Sequence, residues 1–341
     1  MTVAPDRANG DHVRPVQETR LDLGRHLPEE TAPGLGRWRW EKSLPLETDG
    51  RLRVIALGTG SAFSSSLWQS NFILVKGKTV VFVDLGTQAS LRMAELGIPL
   101  AAVEHVVVTH SHADHIGCLE ELAARRRYEL PLRAMPRRAG EDEDAYAARL
   151  ADARRAGRFR PKLHIPGFYA KELWEASLRG GLMHCEEVPD KGPEGAMRLE
   201  HFFEVVEPEE RPGDIPSWRC VIGGIEVVTF KTVHAPDRAG PGTPRMHSVG
   251  LVVAGRLFIS GDPQFDPRPL KVFGKGCEAR FHEAQHFAGG VHTFYEDLRA
   301  LPADLRKRMY LYHLPEGMLS LEPREDGFAG FVKPAPWVYD F

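Results

Sequence analysis

Apolar and polar positions along this chain alternate with a period of two in many short runs, and with a helical period in fewer. Residues 52–57, Leu-Arg-Val-Ile-Ala-Leu, read as a strand that stops at a glycine turn, Gly58-Thr59-Gly60-Ser61. Residues 71–75 and 79–84 flank Lys76-Gly77-Lys78 in the pattern of a hairpin. A helix is predicted over 89–96, stopped by Gly97, and a strand over 104–109. Helical spacing resumes at 118–124. A short strand and turn are predicted at 162–167, and a helix over 170–178. Strand patterns return at 225–233, 246–253, 256–262 and 309–312, with a helix over 298–307. Between these, 139–160 reads as an exposed helical insertion, and 185–218 is rich in Glu and Pro with no clear period. Residues 1–50 read as a partly irregular extension that docks through Trp38 and Trp40. Residues 321–341 read as a tail packing on the domain through Phe328, Phe331, Trp337, Tyr339 and Phe341. The organisation expected is one domain over 51–320, with an insertion at about 125–218 and these two flanks.

One stretch does not fit a packing role. Val106-Val107-Val108 leads into Thr109-His110-Ser111-His112-Ala113-Asp114-His115-Ile116-Gly117. In extended backbone His110 and His112 point the same way, because side-chain direction repeats every second residue. Asp114 and His115 follow at once and cannot share that face, so the backbone has to turn between the pairs. One pair can then serve one metal ion and the other pair a second. Imidazole and carboxylate suit Zn²⁺, and also Mn²⁺ or Fe²⁺. Asp84 ends an apolar strand, where its carboxylate can orient a ligand histidine or cap the helix that follows.

The run His110-x-His112-x-Asp114-His115 after an apolar strand resembles the signature of the metallo-β-lactamase fold superfamily. Gly58-Thr59-Gly60 and Phe281-His282-Glu283-Ala284 resemble its ribonuclease Z-like, phosphodiesterase branch. Gly58-Thr59-Gly60 is not a Walker motif, since no Lys-Ser/Thr follows. The resemblance covers about residues 52–315 and implies an α/β fold, an αββα sandwich of two mixed sheets flanked by helices. It also implies a ligand set. His110, His112 and His234 would hold one ion; Asp114, His115 and His313 the second; Asp262 would bridge them. His247, three residues before Gly250, competes with His234, as it would in glyoxalase- and lactonase-like members. Glu283 and His292 would form a proton relay near the leaving group, and Asp114 would help orient the attacking water. Members that reduce oxygen at di-iron usually carry Glu where this chain has His112, so the resemblance implies redox-silent hydrolysis with two divalent ions, most simply Zn²⁺.

Composition narrows the partners. The chain has 341 residues, 42% hydrophobic and 27% charged, with a net charge of −3, so no global positive field advertises nucleic acid. Arg125-Arg126-Arg127 and Arg137-Arg138 read first as solvated helix ends and second as contacts to an anionic substrate near the metals. His164, His184 and His201 have no partner at ligand spacing and read as structural. No apolar run reaches the roughly 20 residues a bilayer requires, and the polar N-terminus does not look like a signal peptide. Cys118, Cys185, Cys220 and Cys277 are scattered, as free thiols in the cytoplasm would be. The expected function is metal-dependent hydrolysis by an activated hydroxide at a dinuclear site. A phosphodiester, an RNA end or a small or cyclic nucleotide, is the expected substrate. The alternatives are a lactone, thioester or β-lactam hydrolase, and a non-catalytic metal-stabilised binding protein. A homodimer stays open.

Overall fold

The computed structural model describes residues 15–32, 35–186, 196–236 and 245–341. Parts of the predicted N-terminal extension, of the 185–218 stretch and of the segment between the predicted strands 225–233 and 246–253 lie outside these residues. Two eight-stranded mixed sheets stack face to face. The first runs, in spatial order, Gln17–Arg20, Trp337–Asp340, Leu52–Ala56, Phe72–Lys76, Thr79–Val83, His105–Val107, Lys162–His164 and Glu204–Val206. The second runs Glu209–Arg211, Ser217–Ile222, Ile225–Lys231, Val249–Val253, Leu257–Ile259, Ala279–Glu283, Met309–Tyr312 and Gly330–Phe331.

The period-two pattern explains the layering. In the strand Leu52–Ala56, Leu52, Val54 and Ala56 face the second sheet, where they meet Val227, Leu251, Ile259 and Phe281. Ile55 and Leu57 face the other way, onto helices through Met93, Leu119, Leu122 and Tyr169. The second sheet repeats the arrangement. Phe230, Phe258 and Leu311 pack against Leu270, Leu298 and Leu305 on its outer helices. The result is the expected αββα sandwich, with three apolar cores between four layers, two of helices and two of sheet.

Several elements differ from the sequence reading. The N-terminal extension supplies a strand: Gln17–Arg20 pairs antiparallel with Trp337–Asp340. A separate hairpin, His26–Ala32 with Leu35–Trp40, packs on the helix Ala89–Glu95, with Nε2 of His26 2.6 Å from Glu95. The closing tail is likewise sheet: Trp337–Asp340 also pairs with Leu52–Ala56, and Arg53 grips Asp340 through Nε at 2.7 Å. The 125–218 stretch is more than an insertion, since Lys162–His164 and Glu204–Val206 extend the first sheet in parallel. The helix predicted over 298–307 is two, Tyr295–Arg299 and Ala303–Arg306, because Pro302 cannot continue the first. The insertion helix is present as Glu143–Arg155, capped by the Asp142 carboxylate. Among the described residues no helix is long and apolar enough to cross a membrane.

His164, on the third of the parallel strands, has its Nε2 3.0 Å from Nδ1 of His105 on the neighbouring strand. Burial, then the charges of His105 and Lys162, push its pKa down to about 4. A depressed imidazole favours the folded state fully above its unfolded value near 6.5, and that contribution is lost as pH falls toward 4. The melting temperature of the wild type is therefore expected to approach that of His164→Gln as pH drops from 7 to 4.5. A gap that stays constant across this range in thermal melts rules the account out.

Candidate metal centre

The centre lies where strands of both sheets end. The strand His105–Val107 runs into His110, whose backbone bridges to Ser248 at the start of a second-sheet strand. A single helical turn, Ala113–Ile116, then reverses the chain and turns Asp114 and His115 toward the same space. This is the change of direction that the adjacent His-x-His and Asp-His pairs require. Ile225–Lys231 leads to His234, Leu257–Ile259 to Asp262, and Met309–Tyr312 to His313. Asp84 and His313 both sit at positive φ, 64° and 55°, so two strand ends near the centre turn through a left-handed conformation.

The donor atoms form two nests. In the first, Nδ1 of His112 lies 3.1 Å from Nε2 of His110 and 3.0 Å from Nε2 of His234. In the second, Nε2 of His115 is 3.2 Å from Oδ2 of Asp114 and 3.0 Å from Oδ2 of Asp262. Nε2 of His313 is 3.1 Å from Asp114 and 3.0 Å from the same Asp262 oxygen. That oxygen is also 4.0 Å from Nε2 of His110, so Asp262 stands between the nests. Donors about 2.0–2.1 Å from a zinc ion lie roughly 3.3 Å apart in a tetrahedron. Both nests have that spacing. The other oxygen of Asp262, Oδ1, is buried with no hydrogen-bond partner, as expected for an atom that a cation satisfies. The residues therefore fit two divalent cations.

Surrounding groups set which ring nitrogen faces the centre. Nδ1 of His115 donates to Oδ2 of Asp84 at 2.7 Å. The Thr109 hydroxyl donates to that carboxylate at 2.7 Å and so accepts, at 3.0 Å, from Nδ1 of His110. The Thr109 amide donates to the other Asp84 oxygen at 2.7 Å. Nδ1 of His234 donates to the carbonyl of Val291 at 2.9 Å. Each of these rings thus keeps the Nε2 lone pair for the centre. The helix-cap alternative for Asp84 is not used: Gln88 occupies that cap.

Electrostatics separates the nests. Burial, and then the neighbouring imidazoles, hold His110 well below the usual histidine range. Burial holds His234 down at about 4. These rings are neutral and ready to ligate. In the second nest burial works against charge but is outweighed. Asp262 and Asp114 hold His115 well above its usual value and His313 up at about 10, while both carboxylates are held low by these imidazoles.

The remaining sequence candidates fall in two places. Nδ1 of His292 is 3.2 Å from Oε2 of fully buried Glu283, whose Oε1 accepts the Thr293 amide at 2.5 Å. The His292 ring stands 5.1 Å from that of His234 and 4.9 Å from that of His313, so the pair sits at the rim of the centre. His247 is not brought in. It is buried against Tyr169, Phe168 and Trp218, with ring centroids at 4.3, 5.2 and 6.0 Å. Nor are Arg125 to Arg127 near the metals. Arg125 pairs with Glu121 and Glu129 on an exposed helix face, while Arg126 and Arg127 bind carbonyls before the parallel strands.

Sequence reasoning missed the groups that hold the backbone in place. Asn71 donates to the carbonyl of Asp114 at 3.0 Å and accepts the Gly86 amide at 2.8 Å. A Cβ on Gly86 would lie 1.9 Å from that Asp114 carbonyl, so only glycine lets the two loops meet. The usable signal was a polar Asn at the head of an otherwise apolar strand. The Gly58-Thr59-Gly60 turn steadies the other side, accepting the Leu314 amide at the Thr59 carbonyl, 2.9 Å away, next to His313.

Replacing Asp84 with Asn would leave Thr109 and His115 without a charged acceptor. Loss of such an orienting partner typically costs about 10–100-fold in metal affinity. Asp84→Asn is expected to bind divalent metal weaker by that factor in equilibrium dialysis, with the far-ultraviolet circular dichroism spectrum unchanged.

The pattern of a protein family described as "Anti-Pycsar protein Apyc1" matches residues 52–136 and 146–338. Curated relatives include an Anti-Pycsar protein Apyc1 of Paenibacillus sp. (strain J14), 29% identical over 273 residues, covering 79% of this chain and 91% of the relative. Another, of Bacillus phage 010DV004, is 28% identical over 276 residues, covering 78% and 90%. Among solved structures, the metallo-β-lactamase fold protein YhfI from Bacillus subtilis aligns with a TM-score of 0.54 at 12% identity, over 85% of this chain and all of that one. A diphosphatase of the PhnP family aligns with a TM-score of 0.50 at 14% identity, over 77% and 87%. The protein belongs to the Anti-Pycsar Apyc1 family and is a metal-dependent hydrolase of the metallo-β-lactamase fold.

Proposed function

We propose that this protein hydrolyses the phosphodiester of a small cyclic nucleotide, using two divalent cations, most simply Zn²⁺. The observation that carries the reading is the pair of nests sharing Asp262, with the Glu283–His292 pair beside them. His110, His112 and His234 hold one cation, and Asp114, His115 and His313 the other. When bound, such a pair supplies water acidified toward neutral pH and a clamp for the attacking and leaving oxygens. The chain's own groups do the rest. Asp84 and Thr109 keep the imidazoles in the right tautomer. Glu283 stands against His292 as a charge partner, Oε2 3.2 Å from Nδ1 without hydrogen-bond geometry, and the imidazole is the group that would carry a proton to the leaving oxygen.

Family membership supports a cyclic nucleotide as substrate. A small substrate is also favoured over an RNA end by a net charge of −3 and by the arginine-rich stretch lying away from the centre. The lactone, thioester and β-lactam alternative leaned on His247 as ligand, and His247 is packed among aromatic rings instead. A purely structural metal site does not call for a buried acid–imidazole pair at its rim. Four free cysteines fit work in the cytoplasm.

A panel of 3′,5′-cyclic mononucleotides, bis(p-nitrophenyl) phosphate, a chromogenic lactone and nitrocefin tests the substrate class. Turnover of the two phosphodiester types in the presence of Zn²⁺ or Mn²⁺ is expected. Turnover confined to the lactone or nitrocefin sinks the proposal. Metal counting by elemental analysis should show loss in His234→Ala and full loading in His247→Ala.

The relay has its own signature. A ribose alkoxide needs a proton as it leaves, whereas p-nitrophenolate does not. His292→Ala and Glu283→Gln are expected to lose about 10²–10⁴-fold in kcat on a cyclic nucleotide and far less on bis(p-nitrophenyl) phosphate. Equal losses on both substrates would place the pair in a purely structural role.

A further inference from the structure

We propose that a cleft at the opposite edge of the first sheet is a second anion site, built to take the phosphate group of a small ligand. It is lined by Arg126, Arg127, Arg154 and Arg160 together with His201 and Phe202, and its cavity is only about 10 Å³ before it opens to solvent, so a phosphate would seat at its mouth and enter by one oxygen. Among the described residues no carboxylate lines it. The metal centre follows the carboxyl end of the strand His105–Val107. The arginines gather at the other end. Arg126 binds the carbonyls of Ala101 and Phe159, each at 2.7 Å, just before two of the parallel strands. Arg127 binds the carbonyl of His201 at 2.7 Å, and Arg160 that of Glu200, just before the third.

These partners are mostly neutral. Arg127 alone of the four has an ion pair among the described contacts, with Glu186. Arg126 and Arg160 are held by carbonyl oxygens, and no ion pair among the described contacts neutralises either, although the Glu104 carboxylate acts on Arg126 from a distance. Arg154 lies over the ring of Tyr128, its carbon 5.2 Å from the centroid, and its Nε is buried without a hydrogen-bond partner. A buried guanidinium N–H with no acceptor is an unusual cost, and a bound anion removes it. Gathering guanidinium groups at one opening also builds mutual repulsion that an anion relieves. Each arginine retains N–H donors beyond those bound to carbonyls, and their planar forks match phosphate oxygens. The chain makes local room for this arrangement. Gly157 has a φ of +64°, and a Cβ there would lie 2.0 Å from Nε of Arg160.

The alternative is that these arginines only tie loops to the strands. Isothermal titration calorimetry on the full-length, metal-loaded protein separates the two, with inorganic phosphate and AMP as probes in separate titrations. The wild type is expected to show one more saturable site than Arg154→Gln/Arg160→Gln, or a site at least tenfold tighter. Tighter binding of AMP than of phosphate assigns the site to a nucleotide; equal binding assigns it to the phosphate group alone. Hydrolysis of bis(p-nitrophenyl) phosphate by the variant should stay within about twofold of wild type, showing that the fold and the metal centre are intact. The single variant Arg154→Gln, which gives up only the unpartnered group, serves if the double variant is unstable. Identical titrations of wild type and folded variant overturn the proposal.

Discussion

Two carboxylates and five imidazoles crowd into a nearly dry space between two sheets, and positive charge held among them is what makes that crowding tolerable. Asp114 and Asp262 approach the same two histidines within about a hydrogen-bond length, and Oδ1 of Asp262 is left over. Protons on His115 and His313 balance the carboxylates in one way. Divalent cations balance them in another, and the donor spacing suits cations. The neutral trio of His110, His112 and His234 has no such carboxylate pair, so a cation there would be held by imidazole lone pairs, with the Asp262 carboxylate nearby. The two halves of the centre therefore differ in charge although they share an aspartate.

Such a centre can be assembled only if four strand ends are held rigidly, since the donors come from positions far apart in the chain. The stacked sheets supply the rigidity, and a few polar groups supply the aim. Asp84 accepts three hydrogen bonds in the turn that carries His110 and His115, and does so from a left-handed backbone. Asn71 and Gly86 hold the Asp114 turn, and the Thr59 carbonyl holds the chain beside His313. None of these groups supplies a donor to either nest, yet the nests depend on all of them.

The fold class and four of the candidate donors, His110, His112, Asp114 and His115, were legible because their chemistry is written in short patterns. Alternating strands, glycine stops and the crowded His-x-His-x-Asp-His run can each be read within a dozen residues. The distant residues Asp262 and His313 were reached by likeness to a family, since nothing local distinguishes an aspartate after a strand from a turn residue. The contest between His234 and His247 could not be decided locally either. Both adjoin strands, and only the packing of Tyr169 and Trp218 around His247 separates them. The flanks were misread for a similar reason. Gln17–Arg20 has no apolar alternation of its own; it is a strand only because Trp337–Asp340 offers it an edge. The arginine stretch looked like a helix end because its acceptors, the carbonyls of Ala101, Phe159 and His201, lie remote in sequence.

The placement of Trp337–Asp340 between Gln17–Arg20 and Leu52–Ala56 bears on how the molecule is born. Arg53 and its partner Asp340 stand 287 residues apart along the polypeptide. During synthesis the flank of Leu52–Ala56 and the strand Gln17–Arg20 lack this partner until Trp337–Asp340 leaves the ribosome. Until then the nascent chain must keep an adhesive β-edge from neighbouring copies, so closure of the first sheet waits on a segment made nearly three hundred residues after the strand it covers.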